Sequence, residues 1–396
     1  MKIEYIDNDK QHGIKYDWKF LEKEFKKLNI PTNVYNPFKF HKIGAYAWTV
    51  DMSERSTGKT TNWLLLGMIM NKHYDTQIIY VRELLDMIMP KHARQLFKTI
   101  IDFGYVEKIT EGKYNAIEYK SRAHYYTNTE TGETANEPFC VSLSIDDNML
   151  NKSSFNAPRG DLIIFDEFIS KYNYMNEFVE FADTLKTVIR ERDSAIIVCV
   201  ANTIDKHNNF FRELGIYDAV QKMDINEKRI VENAHGSKVD VALIGTKIED
   251  MPEHRKSHNA RFFGFANPKL NAIRGGEWAI PIFPHIPKNK DGSIDVLIKN
   301  RYIEYNGYLV NLELVLHETM GICVYCHKAN KTYDDSIIYS INVVLTEKNY
   351  KYGWGIGSVD KKLLDLYNKN RYYYATNEEG QIVDAYIRDF KMNKRG

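Results

Sequence analysis

Cysteine is scarce, with four in 396 residues. That is too few to frame a fold with disulfides, which excludes a disulfide-rich secreted scaffold. Neither sign of charge is in excess: 54 Lys and Arg stand against 53 Asp and Glu, a net charge of +1. No global field therefore draws the chain onto a polyanion. Such contact must come from local patches, or from several copies that concentrate them. Long hydrophobic runs are missing as well. The stretch Trp63–Met70 is far shorter than the ~20 residues of a membrane span. Met1–Asp7 has no apolar signal core. These features read as a soluble protein of a reducing compartment with no membrane partner. Proline is sparse and unevenly spread: five of the ten fall within 246–292, which marks that stretch as a linker or small lid.

What is present is a globular balance, 43% hydrophobic and 27% charged, in a chain long enough for two domains. Up to about residue 245, short apolar runs alternate with helical patterns. The spacing predicts strands at Ala45–Val50, Gln77–Val81, Leu162–Phe165 and Ala195–Val200. Each is apolar on both faces, as buried parallel strands are. Helices are expected at Thr60–Met70, Pro90–Phe103 and Asn176–Arg190. Beyond residue 292, Tyr308–His317 and Gly321–His327 read as a hairpin, Ser336–Thr346 as a third strand and Lys361–Asn370 as a helix. The expected fold class is α/β, with a mostly parallel sheet over 1–245, a linker over 246–292 and a small α+β domain over 293–396.

Two segments carry chemistry. Ser53-Glu54-Arg55-Ser56-Thr57-Gly58-Lys59-Thr60-Thr61 follows an apolar strand and opens a helix. Strand, tight loop and helix N-terminus together make a phosphate-binding loop, because backbone N–H groups and the positive helix end converge on an anion. Lys59 would reach the β- and γ-phosphates of ATP, and Thr60 would coordinate Mg²⁺. About a hundred residues on, Asp161-Leu162-Ile163-Ile164-Phe165-Asp166-Glu167-Phe168 is an apolar strand that ends in two carboxylates. Asp166 suits the magnesium shell, and Glu167 can polarise the attacking water as general base.

With both segments in view, the chain resembles terminase large subunits and, more closely, the packaging ATPases of small podoviruses. Arg55 completes an R-x-x-G-K-T loop, and Ser153–Gly160 is similar to the serine-to-Arg-Gly run that precedes the acidic strand in terminases. The likeness includes Tyr35-Asn36-Pro37, Tyr80-Val81-Arg82, Phe165-Asp166-Glu167-Phe168-Ile169, Thr187-Val188-Ile189-Arg190, Ala201-Asn202-Thr203 and Asn209-Phe210-Phe211. It covers about 35–215. Ser53 stands where the family has a glycine. The match after residue 290 is weak and rests mainly on Tyr305-Asn306-Gly307-Tyr308.

The resemblance implies a P-loop core of the additional-strand, catalytic-glutamate type. It implies a homomeric ring, pentameric in the family, docked on the capsid portal or connector in the host cytoplasm. ATP hydrolysis would then drive double-stranded DNA through the ring. It further implies that Arg55 and Glu167 are catalytic, that Arg190 is an arginine finger given to a neighbouring subunit, and that Lys152 is a second basic residue supplied across the interface. Asn202 would be a sensor of the γ-phosphate. Arg192 is the alternative finger. Arg82 is left open between pairing with Glu167 and facing solvent. Two other functions compete: a helicase or cellular translocase related to FtsK and HerA, and a nucleotide-gated scaffold without turnover.

Terminases carry a nuclease at this end of the chain, and its chemistry needs several carboxylates converging on two metal ions. The strands here offer Glu313, with Asp334, Asp335, Asp360 and Asp384 in turns or helices. These do not assemble into a cluster, so a degenerate nuclease-like domain for binding is expected. Its lysines (Lys328, Lys331, Lys348, Lys351) and tyrosines would touch phosphate and sugar. Cys323-Val324-Tyr325-Cys326-His327 matches a haem-attachment pattern but lies in a strand-like run, so two strand cysteines are the better reading. His41, His92, His254 and His258 lack metal-site spacing and read as surface residues.

Overall fold

The computed structural model describes residues 16–31, 34–53, 57–146, 157–169, 177–202, 208–233, 236–245, 253, 257, 261, 283–286, 294–341 and 349–393. The chain divides into two compact units, one ending at Trp278 and one covering Ala279–Gly396. Most of the proline-rich 246–292 stretch lies outside the described residues.

In the first unit, α1 (Trp18–Lys27) and α2 (Pro37–Phe40) lead into β1 (Trp48–Ser53), α3 (Lys59–Tyr74) and β2 (Ile78–Arg82). Three short helices follow, α4 (Pro90–Leu96), α5 (Lys98–Asp102) and α6 (Tyr105–Thr110), then the hairpin β3 (Ala116–Lys120) and β4 (Ala123–Thr127). The unit continues with β5 (Cys140–Ser144), β6 (Leu162–Asp166), α7 (Glu177–Ile189), β7 (Ile196–Asn202), α8 (Asn209–Glu213), α9 (Tyr217–Gln221), β8 (Glu227–Glu232) and β9 (Lys238–Ile244). The nine strands form one sheet in the order β3-β4-β5-β2-β6-β7-β1-β9-β8. Pairing is parallel from β5 through β9 and antiparallel only at the two margins. β7 lies between β1 and β6, which is the extra strand the resemblance implies.

Side-chain alternation decides what each face carries. On β6, Leu162 and Ile164 join the cluster built on α3, with Trp63, Leu64 and Ile78. Phe165 points the other way, onto Phe181 of α7 at 4.5 Å and Phe210 of α8 at 5.5 Å between ring centroids. Helices therefore cover both faces, and α3 is buried around most of its circumference, as a helix apolar on all sides must be. Gly67 permits its approach, because a Cβ there would lie 2.5 Å from Ile78.

β1 ends at Ser53, three residues beyond the expected strand. The helix expected over Pro90–Phe103 breaks into short pieces at Phe97 and at Phe103-Gly104, where Gly104 takes φ +67°.

The second unit is a seven-stranded mixed sheet. Its strands are β10 (Ile294–Ile298), β11 (Arg301–Tyr305), β12 (Tyr308–His317), β13 (Gly321–Lys328), β14 (Ile337–Ser340), β15 (Tyr350–Tyr352) and β16 (Tyr372–Tyr374). β11, β12 and β13 form an antiparallel meander, and β14 and β16 join it in parallel. Helices α10 (Ser358–Asn368) and α11 (Asn377–Asn393) contribute Leu363, Leu366, Ile382 and Tyr386 to the core on one face. Cys326 lies in that core, whereas Cys323, three residues earlier on the strand, lies in the smaller cluster on the other face. The two thiols cannot share a haem or a metal from opposite faces, so strand cysteines is the correct reading.

Candidate active site

The site forms where β1, β6 and β7 end beside the start of α3. Gly58 turns the chain into α3 with φ +86°, and a Cβ there would meet Val34 at 2.6 Å. Only glycine fits both the left-handed backbone and that close approach. Tyr35 N–H donates to the Thr57 carbonyl at 3.0 Å, and the Asn62 side chain donates to the Tyr35 carbonyl. These bonds bind the Tyr35-Asn36-Pro37 segment against the loop.

Lys59 is 6% exposed. Its ammonium donates to Ser53 Oγ at 2.7 Å and to the Ser53 carbonyl at 3.4 Å. Ser53 Oγ also lies 2.9 Å from Thr57 Oγ1. The Ser53 side chain and carbonyl thus hold the lysine in place. Glu54, Arg55 and Ser56 lie outside the described residues, as does Lys152.

Asp166 and the two side chains that reach it from β2 share the α3 face of the sheet. Thr60 Oγ1 donates to Asp166 Oδ1 at 2.9 Å, and Tyr80 OH donates to Asp166 Oδ2 at 2.8 Å. Arg82, two residues along β2, donates to Asp166 Oδ2 at 3.3 Å and to Glu167 Oε2 at 2.5 Å. Burial works against the Arg82 charge, but Tyr80, Asp166 and Glu167 outweigh it and hold the guanidinium above its usual value. Burial first, and then the Asp166 charge, push the Tyr80 phenol well up, so it remains a donor. Glu167 sits in the left-handed region at φ +56°, a conformation that costs a non-glycine residue about 1–2 kcal/mol. Its side chain is 48% exposed, against 10% for Asp166. One carboxylate is packed in, and its neighbour is turned toward the opening.

A cavity of about 470 Å³ joins these parts. Thr57–Thr61 line one side, and Asp166, Glu167, Val200, Ala201 and Asn202 line the other. Behind Arg82 lies a second cavity of about 400 Å³, bordered by Tyr80, Met87, Ser142 and Asp166. The first can take a polyphosphate between a buried cation and a carboxylate pair. Thr60 Oγ1 and Asp166 Oδ1 supply two hard oxygen donors side by side, which fits Mg²⁺.

No protein-family model matches the chain, and the curated proteins contain no match. Solved structures do match. The gp11 DNA packaging motor of phage Phi-28 aligns at 14% identity over 91% of this chain and 99% of its own, with a TM-score of 0.54. The viral genome packaging motor of bacteriophage Phi-29 aligns at 15% identity over 91% of this chain and all of its own (100%), also with a TM-score of 0.54. The fold is that of the phage DNA-packaging motors. At these identities the likeness is one of fold, over 91% of the chain.

Residues away from this cavity behave differently. Arg190 caps α7 in the left-handed region at φ +54°. It is exposed, and its guanidinium has no hydrogen bond or ion pair among the described residues. It precedes β7, whereas the phosphate cavity lies beyond the other end of that strand. Arg192 is engaged within the chain, donating to Asp161 at 2.8 Å and to the Gly160 and Val188 carbonyls at 3.0 Å.

His41 needs correction. It is not a surface residue: its side chain is 0% exposed, with Nδ1 3.4 Å from Asp240 and Nε2 4.0 Å from Asp51. Trp63 Nε1 donates to Asp51 at 3.1 Å. This buried cluster lies under β1, two residues before Ser53. His92 is exposed as expected, and His254 and His258 lie outside the described residues. Sequence reading also missed Tyr80, although its i, i+2 spacing from Arg82 on a strand places both on one face.

In the second unit, three of the candidate acids are already engaged. Asp360 accepts from Tyr339 and from Arg301 at 3.4 Å. Asp384 accepts from Tyr367 at 2.5 Å, and Asp335 from Asn300 at 2.7 Å. Among the described residues, no three His, Cys, Asp or Glu side chains converge as metal ligands, and no helix is long and apolar enough to cross a membrane.

Proposed function

We propose that this chain hydrolyses ATP and uses it to move double-stranded DNA into a preformed capsid, as one subunit of a homomeric, pentameric ring docked on the portal in the host cytoplasm. The observation that carries the reading is one cavity with Lys59 on one side and the Asp166–Glu167 pair on the other, on a fold shared along nearly its whole length with packaging motors.

In this reading, Ser53–Thr61 cradle the triphosphate. Lys59 leaves Ser53 for the β- and γ-phosphates, and Thr60 with Asp166 holds Mg²⁺, which screens the phosphate charge. Glu167 takes a proton from water as its oxygen attacks the γ-phosphorus and the bond to the β-phosphate oxygen breaks. Asn202 bonds the γ-phosphate or that water. Arg190 reaches a neighbour's γ-phosphate, where a planar cation offsets developing charge. Two facts favour it over Arg192: Arg190 is exposed without a partner among the described residues, and Arg192 is tied to Asp161. Arg55 and Lys152 complete the basic set by resemblance. Residues 1–245 act as the ATPase domain, 246–292 as a linker or lid, and 293–396 as a degenerate nuclease-like domain that binds DNA or the portal.

Phosphate release measured alone, with double-stranded DNA, and with DNA plus empty capsids tests this. Stimulation by DNA and DNA uptake with capsids are expected. ATPase activity on DNA with no capsid dependence would favour a helicase or cellular-type translocase. No turnover under any condition would leave a nucleotide-gated scaffold.

A further inference from the structure

Tyr80 is buried in the first unit, and its hydroxyl donates to one carboxylate, that of Asp166. β2 and β6 run parallel, with Tyr80 opposite Ile164. Asp166 stands two residues further along β6, so it shares the face of Tyr80 and Ile164. Both of those residues belong to the cluster built on α3. Packing in that cluster fixes the ring, and the phenol reaches forward along the strand direction to Asp166.

A buried phenol ordinarily finds some acceptor. The arrangement at Asp166 is more particular, because its two oxygens are divided between two partners. Oδ1 accepts from Thr60 Oγ1 at 2.9 Å, and Oδ2 accepts from Tyr80 OH at 2.8 Å. Thr60 and Asp166 line the phosphate cavity. Tyr80 borders the second cavity, which Asp166 also reaches. The carboxylate is thus held from behind while its other oxygen lies beside the threonine that opens α3. Arg82 competes for the same oxygen. Its guanidinium donates to Asp166 Oδ2 at 3.3 Å and to Tyr80 OH at 3.2 Å. Arginine favours two parallel bonds to both oxygens of a carboxylate. The phenol makes the shorter bond to Oδ2 and stands against such a turn, which would take Oδ1 away from Thr60.

We propose that Tyr80 is a positioning residue for the divalent cation of the nucleotide site: by holding Asp166 Oδ2, it presents Oδ1 beside Thr60 Oγ1 to Mg²⁺ or its water shell. This rests on the ATPase reading given above. Loss of an outer hydrogen bond that orients a metal-binding carboxylate typically costs ~10–100-fold in metal affinity. The effect of Tyr80 passes through Asp166, so it falls on the metal and not on nucleotide bound without it.

Tyr80→Phe removes the hydroxyl and keeps the ring in the core. Two titrations on the full chain test the proposal. The first is a non-hydrolysable ATP analogue in excess EDTA. The second is Mn²⁺ added to the complex of protein and analogue, followed by electron paramagnetic resonance. In EDTA the variant should bind the analogue as the wild type does. Its affinity for Mn²⁺ should fall roughly tenfold or more. Unchanged Mn²⁺ affinity in the folded variant overturns the proposal. An equal loss of analogue affinity with and without metal does so too, since a phenol with a merely structural role would loosen the whole site. If Tyr80→Phe does not fold, Tyr80→Met, which also fills the position without a donor, is read in the same way. A wild-type chain that binds the analogue no better with Mn²⁺ than in EDTA overturns the ATPase reading, and this proposal with it.

Discussion

Replacing His41 by Gln should flatten the alkaline pH dependence of stability in the first unit. In the native chain both ring nitrogens of His41 face carboxylates in a site closed to water. Burial alone would lower its pKa, but hydrogen-bond contact and charge from Asp240 and Asp51 prevail and raise it to about 9 from 6.5. A group whose folded pKa is raised stabilises the fold fully below its unfolded value, and that contribution fades as pH climbs through the folded value. At 1.36 kcal/mol per unit, the gap corresponds to about 3 kcal/mol, lost between about pH 6.5 and 9. His41→Gln should lack this slope. It should also be destabilised at neutral pH by about 3–5 kcal/mol, because two buried carboxylates lose their cation. The assay is urea unfolding followed by Trp fluorescence at half-unit pH steps, for both proteins. Imidazole ¹⁵N NMR of the wild type should show both His41 nitrogens protonated at pH 8. Equal slopes in the two proteins, or a neutral ring at pH 7, would refute the argument. The cluster also bears on the site, because Asp51 precedes by two residues the serine that holds Lys59.

Other expectations concern the cavity. Glu167→Gln should keep ATP binding and lose turnover by a factor of ~10² or more, whereas Lys59→Ala should weaken binding itself; filter binding and phosphate release separate the two. Arg82→Ala removes the cation that occupies Glu167. We expect unstimulated hydrolysis to rise, because the Glu167 carboxylate is then free to accept from water, and stimulation by DNA to shrink; a folded variant with slower basal turnover would count against Arg82 as a restraint. Mixing inactive Arg190→Ala with inactive Glu167→Gln should restore part of the ATPase activity, because some interfaces regain both parts. A finger is worth ~10³-fold or more, so modest rescue is measurable, and no recovery in assembled mixed rings would remove Arg190. DNA affinity should fall steeply with salt, since a near-neutral chain must bind through local cations; a flat response would argue against phosphate contacts.

The phosphate loop and the acidic strand were legible because each is a contiguous run whose neighbours announce its place. An apolar strand, a glycine that must adopt positive φ, and a lysine at a helix start need no distant partner to be recognised. Parallel strands buried on both faces show as continuous apolar runs, so β2, β6 and β7 were found nearly to the residue. The marginal strands were not: β3 and β8 lie at the two edges of the sheet, where alternation is mixed with charge and the pairing partner decides the strand. The pairing of Arg82 and Tyr80 with Asp166 and Glu167 depends on β2 and β6 lying side by side, 80 residues apart in sequence, with matching faces. His41 read as a surface residue because it has no metal-site spacing and no partner among its neighbours in sequence. Only the neighbouring positions of β1 and β9 bring Asp51 and Asp240 to its two nitrogens and make burial of the charge tolerable. Local pattern determines which segments are strand, loop or helix; which side chains share an electric field is decided by strand order and register, because charge acts through space.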